Sequence, residues 1–241
     1  MNFWRIAWRR LLSNREVFTM RKIAIVIVVL LVAVGANAQG ELQKPLIPPN
    51  ALTVNVVLFG HSWITLMEGF QPWAFPNIPS QHIAIEGYSG YTCAMLLPLL
   101  LSNVPASTNA VFIMAATNDV DEGVPVSQHI ACMESMIGEL IGENPHMLIL
   151  LANDPPLCMG DPFGDLRSEI AAYNQAYTSL PKLYPANVRL VDMWTPMVDV
   201  NGWGLAKMFR DHVHFGTNGQ DLVMGTIRDA LYAGLASGLG Q

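Results

Sequence analysis

Ser62 stands in the stretch VVLFGHSWI (residues 56–64), where an apolar run breaks at Gly60 and His61 directly precedes the serine. Near the other end of the chain, RDHVHFGTNG (residues 210–219) sets Asp211 three residues before His214. One turn of chain can fold that spacing so that the carboxylate holds the imidazole. Between these lie EGYSGYT (residues 86–92), with Gly90, and AATND (residues 115–119), with Asn118. A serine hydroxyl is a weak nucleophile that needs a neighbouring base, and histidine suits that task near neutral pH. The base needs a partner that fixes its tautomer and stabilises the imidazolium, and Asp211 can do both. A tetrahedral oxyanion needs preorganised donors. The Ser62 N–H, the Asn118 side-chain amide and the Gly90 N–H are candidates, the last unshielded by a Cβ. This is the equipment of acyl transfer.

Such a constellation requires elements that bring distant residues to one edge. Apolar, β-like runs occur at 53–59, 82–86, 110–115, 147–152 and 188–191. Most are continuous rather than alternating, as expected for strands buried on both faces. Helical patterns fall between and after them, at 92–101, 126–142, 166–183 and 219–236. The alternation predicts one α/β domain over residues 53–241, with a five-stranded parallel sheet and helices on both faces. In such sheets, functional groups gather beyond the carboxyl ends of the strands. Ser62, Gly90 and Asn118 each follow a predicted strand, and Asp211 and His214 precede the last helix.

The front of the chain reads as a targeting segment. Met20-Arg21-Lys22 is a short basic start, residues 23–34 are an uncharged apolar run, and Ala36-Asn37-Ala38 offers a small-x-small cleavage site. The pattern predicts a signal peptide cleaved after Ala38 and a secreted or periplasmic protein. A retained anchor is the alternative, but the run of about a dozen residues falls short of the ~20 that span a bilayer. Residues 1–19 read as an upstream extension, with Met20 the initiator. Arg9-Arg10 is a weak hint of a twin-arginine signal. Residues 39–52, with three prolines, read as an extended lead-in to the domain.

Cleavage would leave 203 residues with 7 basic and 18 acidic side chains, a net charge of −11. That balance argues against nucleic acid or anionic lipid as a partner. Three cysteines, Cys93, Cys132 and Cys158, permit one disulfide in an oxidising compartment, and their spacing does not choose the pair.

The four blocks Gly60-His61-Ser62, Gly90, Ala116-Thr117-Asn118-Asp119 and Asp211-His212-Val213-His214 occur in order over nearly all of the domain. Together they resemble the SGNH, or GDSL, hydrolase superfamily of esterases and lipases. The resemblance implies a flavodoxin-like three-layer fold, with Ser62 as nucleophile, His214 as base and Asp211 as its orienter. Gly90 and Asn118 would complete an oxyanion hole with the Ser62 N–H. Two positions depart from the family pattern: His61 replaces an aspartate and Ala116 a glycine. His61 could tune the serine, but capping the loop is the plainer reading.

Other readings fit less well. Asp211, His212 and His214 are all possible metal ligands, yet no HExxH or second cluster joins them, so no metal and no cofactor is expected. His212 reads as structural. The G-x-S-x-G elbow of α/β-hydrolases is absent, because Ile64 stands where its second glycine would. Trp63, Trp73, Trp194 and Trp203 fall in or near loops, as site lining or as packing anchors. The expected activity is hydrolysis of carboxylic esters, with short acyl or carbohydrate O-acetyl esters favoured. A lysophospholipase or acyltransferase would use the same residues. A flavodoxin-like binding module without catalysis is the rival class.

Overall fold

Val56–Gly60, Ala110–Met114 and Leu148–Ala152 are runs of apolar residues in which every position is buried. Successive side chains of a strand point to opposite faces, so such strands must be covered on both sides. In a computed structural model of the protein, described here for residues 53–67, 74–158 and 164–240, they form the centre of a sheet. The five strands are β1 (Val56–Gly60), β2 (Ile83–Gly87), β3 (Ala110–Met114), β4 (Leu148–Ala152) and β5 (Val188–Val191). All pair in parallel, in the order β2-β1-β3-β4-β5. The edge strands β2 and β5 are only partly buried, as strands with a single neighbour should be.

Helices connect the strands. They are α1 (Ser62–Thr65), α2 (Cys93–Leu96), α3 (Leu100–Asn103), α4 (Thr117–Asp121), α5 (Val126–Glu143), α6 (Arg167–Tyr177), α7 (Leu180–Leu183) and α8 (Thr217–Ala236). The long helices α5 and α8 lie where the 3.6-residue periodicity of their apolar residues puts them. Met133, Met136, Ile137 and Leu140 of α5, and Val223, Met224, Ile227 and Leu231 of α8, are buried in the core.

Two expected helices are each broken in two. The stretch 92–101 is divided into α2, a 3-10 turn at Leu97–Leu99 and α3, with Pro98 in the turn's first residues. The stretch 166–183 is divided into α6 and α7, with Pro181 in the first turn of α7. Proline lacks the N–H that a helix interior needs but fits a first turn, where that N–H has no partner. Strand starts also shift: β1 begins at Val56 rather than 53, and β2 at Ile83, after a 3-10 turn at Ser80–His82. The proposed signal peptide, its cleavage site at Ala38, the lead-in 39–52 and Trp73 lie outside the described residues. Among the described residues, no helix is long and apolar enough to cross a membrane.

Candidate active site

The carboxyl ends of β1, β2 and β3 are level. Gly60 pairs with Gly87 on one side and with Met114 on the other. Each strand therefore delivers its candidate residue to the same edge within a few positions: Ser62 after β1, Gly90 after β2, Asn118 after β3. Two glycines let this edge close. A Cβ on Gly60 would lie 2.1 Å from the Met114 carbonyl oxygen, and one on Gly87 would lie 2.1 Å from the Thr65 nitrogen. Ser62 is the first residue of α1, so its N–H has no intrahelical acceptor and is free to serve a ligand.

The loop before α8 is built to present an imidazole. Phe209 and Phe215 form an isolated antiparallel bridge, and within it the Arg210 N–H donates to the His214 carbonyl at 2.9 Å. Asp211 Oδ1 accepts the N–H groups of Val213 at 2.8 Å and His214 at 2.6 Å, which ties the turn. Its other oxygen, Oδ2, lies 3.0 Å from His214 Nδ1. His214 Nε2 then reaches Ser62 Oγ at 3.1 Å. Partial burial pushes the Asp211 carboxyl up. Hydrogen bonds from the His214 and Val213 N–H groups and from the imidazole outweigh it, holding the pKa down to about 2. The carboxylate is thus ionised at any pH where an imidazole could act as base.

Ser62, Gly90, Asn118 and His214 line one cavity of about 370 Å³, together with Leu66, Ser89, Thr117, Asp121, Arg210 and Val213. Gly90 has φ +79°, a left-handed conformation that favours glycine, and a Cβ there would meet no protein atom within 4 Å. The open space beside it is the cavity, not the core. The Asn118 amide donates one hydrogen to the Tyr91 carbonyl at 2.8 Å. That bond orients the group and leaves its second N–H for the cavity.

The remaining sequence candidates separate from this cluster. His61 is buried, and neither of its ring nitrogens has a hydrogen-bond partner among the described residues. Burial, reinforced by His214 and His129, pushes its pKa down to about 3, so the ring is neutral. It packs edge-on against Trp63, with ring centroids 5.2 Å apart. His212 is exposed and does not line the cavity. None of the described tryptophans lines the cavity. Trp63 is buried and its indole N–H donates to the Val213 carbonyl at 3.1 Å. Trp194 packs against the core, and Trp203 lies under the Arg167 guanidinium at 4.4 Å.

The structure gives roles to residues whose part the sequence left open, and adds others that sequence reasoning did not single out. Trp63 fastens the turn that bears His214 to the helix that bears Ser62, and it packs on Phe215 at 4.8 Å between centroids. Of the two readings open for Trp63, site lining or packing anchor, it is the anchor. Asp121 and Arg210 place a carboxylate and a guanidinium on the cavity wall, and Arg210 Nε is 3.5 Å from Asp211 Oδ2. Beneath Asn118 lies a buried polar group, Asp119, His129 and Asp154, of which only Asp119 falls in a sequence motif. Cys93 and Cys132 form a disulfide, with Cα atoms 6.2 Å apart. Cys158 is buried, with its thiol 3.6 Å from the Gly204 carbonyl.

Residues 59–222 match the GDSL-like Lipase/Acylhydrolase family. No curated protein matches the chain. Solved structures with the same fold include a GDSL-like lipase from Bacteroides thetaiotaomicron, at 21% identity and TM-score 0.65, covering 74% of this chain and 88% of that one. A lipase/acylhydrolase from Enterococcus faecalis aligns at 20% identity and TM-score 0.58, covering 75% and 96%. A carbohydrate esterase family 3 protein from Talaromyces cellulolyticus aligns at 19% identity and TM-score 0.57, covering 76% and 99%.

Proposed function

The chain belongs to the GDSL-like Lipase/Acylhydrolase family, and from that premise we propose that it is an exported serine esterase acting on short acyl esters. The observation that carries the reading is the continuous contact from Asp211 Oδ2 to His214 Nδ1 and from His214 Nε2 to Ser62 Oγ, at 3.0 and 3.1 Å. His214 Nε2 takes the Ser62 proton as Oγ attacks the ester carbonyl, and the Asp211 carboxylate stabilises the imidazolium that results. The Ser62 N–H, the Gly90 N–H and the second Asn118 N–H hold the oxyanion. His214 returns its proton to the leaving alkoxide, leaving an acyl-serine. Water deprotonated by His214 then releases the acid by the same steps in reverse.

The cavity supports a small acyl group. Its volume of about 370 Å³ is near the lower end of ligand pockets, and its lining alternates apolar Leu66 and Val213 with polar Ser89, Thr117, Asp121 and Arg210. The polar side chains Ser89, Asp121 and Arg210 on an otherwise apolar wall suit a hydroxylated leaving group, so carbohydrate O-acetyl esters are the favoured class. Export is supported by the leader-like sequence pattern of residues 20–38 and by the Cys93–Cys132 disulfide, which fits an oxidising compartment.

A panel of p-nitrophenyl esters from acetate to palmitate, with acetylated xylan as a polymeric substrate, tests the reading. Turnover that is highest on acetate, releases free acetic acid from the polymer and disappears in Ser62→Ala is expected. Turnover that grows with chain length would exclude the short-acyl assignment, and turnover unchanged in Ser62→Ala would exclude the mechanism.

A further inference from the structure

The proposed oxyanion donors sit on two segments that overshoot the sheet: Gly90 lies beyond the end of β2 and Asn118 beyond the end of β3. The segments are joined to each other twice. Asn118 Nδ2 donates to the Tyr91 carbonyl at 2.8 Å, and the Cys93 N–H donates to Asp119 Oδ2 at 2.7 Å. Each is also fastened to α5. Cys93 is bonded to Cys132 through the disulfide, and Asp119 Oδ1 lies 3.1 Å from His129 Nδ1, in close contact though not aligned as a hydrogen bond. His129 and Cys132 are three residues apart on α5 and so share one helix face. His129 is itself gripped from α6, with Nε2 2.8 Å from Tyr177 Oη and its ring 4.9 Å from that of Tyr173. Cys93, Asp119 and His129 are all buried.

These contacts close a triangle whose corners are the Gly90 segment, the Asn118 segment and one face of α5. We propose that the Cys93–Cys132 disulfide and the Asp119–His129 contact are positioning devices for the oxyanion hole, fixing the distance between the Gly90 and Asn118 donors. The inference rests on the esterase reading above. Neither His129 nor Cys132 lines the cavity, so they act only through the donors. Donor placement matters at this scale, because a misplacement of about 1 Å can cost on the order of a hundredfold in rate. Cys132 is partly exposed, so a dithiol reductant can reach the bond. The dithiol gives two electrons and two protons, becoming a disulfide itself and leaving two thiols at Cys93 and Cys132. The triangle then loses one side.

The test uses the full chain expressed in an exporting host, with kcat, KM and Tm measured on p-nitrophenyl acetate. Cys132→Ser and His129→Gln should each lower kcat by about tenfold while KM changes less than about twofold. Dithiothreitol should lower kcat of the folded wild type equally, have no effect on Cys132→Ser, and be reversed by oxidation. Because the bond fixes the Gly90 donor relative to the Asn118 donor, adding Cys132→Ser to Asn118→Ala should cost much less than it does alone. A lowered Tm with unchanged kcat, or losses that simply add to that of Asn118→Ala, overturns the proposal while leaving the esterase reading intact. A wild type with neither turnover nor fluorophosphonate labelling removes the esterase reading and this proposal together. Should Cys132→Ser not fold, His129→Gln and the reductant titration decide the matter.

Discussion

Asp154 is a carboxyl group shut away from water just past the end of β4, 1% exposed, with Thr117 Oγ1 donating to it at 3.1 Å. Burial, helped by the nearby Asp119 carboxylate and opposed by the Thr117 bond, pushes its pKa up to about 8 from 3.8. A raised folded-state pKa stabilises fully below the unfolded value and loses that contribution as pH rises through the folded one. Asp154→Asn should therefore leave Tm unchanged near pH 4 and raise it by about 5–10 °C near pH 9, read by thermal unfolding across pH. His61 works in the opposite sense. Its depressed pKa of about 3 means stability present above 6.5 and lost as pH falls towards 3. His61→Phe should match wild type near pH 8 and unfold at lower pH than wild type in acid titrations, since no hydrogen bond is given up. Neither residue's environment is legible from its neighbours in sequence. The candidates around Ser62 were legible because acyl transfer restricts residue type and order, whereas burial of a lone acid follows from packing alone.

At the scale of elements, the register of β1, β2 and β3 is what places the candidate residues at one edge, and two glycines show how differently that edge can be perturbed. Gly87→Ala would drive a methyl into the Thr65 nitrogen, 2.1 Å away, and push α1 outward. A loss of about 1–3 kcal/mol in denaturant unfolding is expected. Gly90→Ala meets nothing within 4 Å and costs only the left-handed strain of about 1–2 kcal/mol, but its methyl stands in the cavity mouth. It should lower kcat/KM on p-nitrophenyl acetate by far more than its Tm suggests. The central strands were readable because burial on both faces forces unbroken apolar runs at 56–59, 110–114 and 148–152. Helix ends were not. Periodicity continued across Pro98 and Pro181, and only the local geometry tells whether a proline kinks a helix or opens a new one.

Across the whole molecule, the Cys93–Cys132 disulfide bridges residues 39 apart in sequence. Closing such a loop typically stabilises by about 3–4 kcal/mol, so the reduced protein should melt several degrees lower, in a scan with and without reductant. Three cysteines could not reveal this pairing in advance, because distance in sequence says nothing about which helices meet. The parallel five-stranded architecture, by contrast, was written in the alternation of strand and helix patterns over the entire domain. It brings Ser62 and His214, 152 residues apart, to within 3.1 Å. The most direct test of the proposed chemistry is to treat the purified protein with a fluorophosphonate and map the adduct by mass spectrometry. A single adduct on Ser62, lost in His214→Ala, is the predicted result. An unmodified Ser62 in folded protein, or an adduct on another residue, would contradict it.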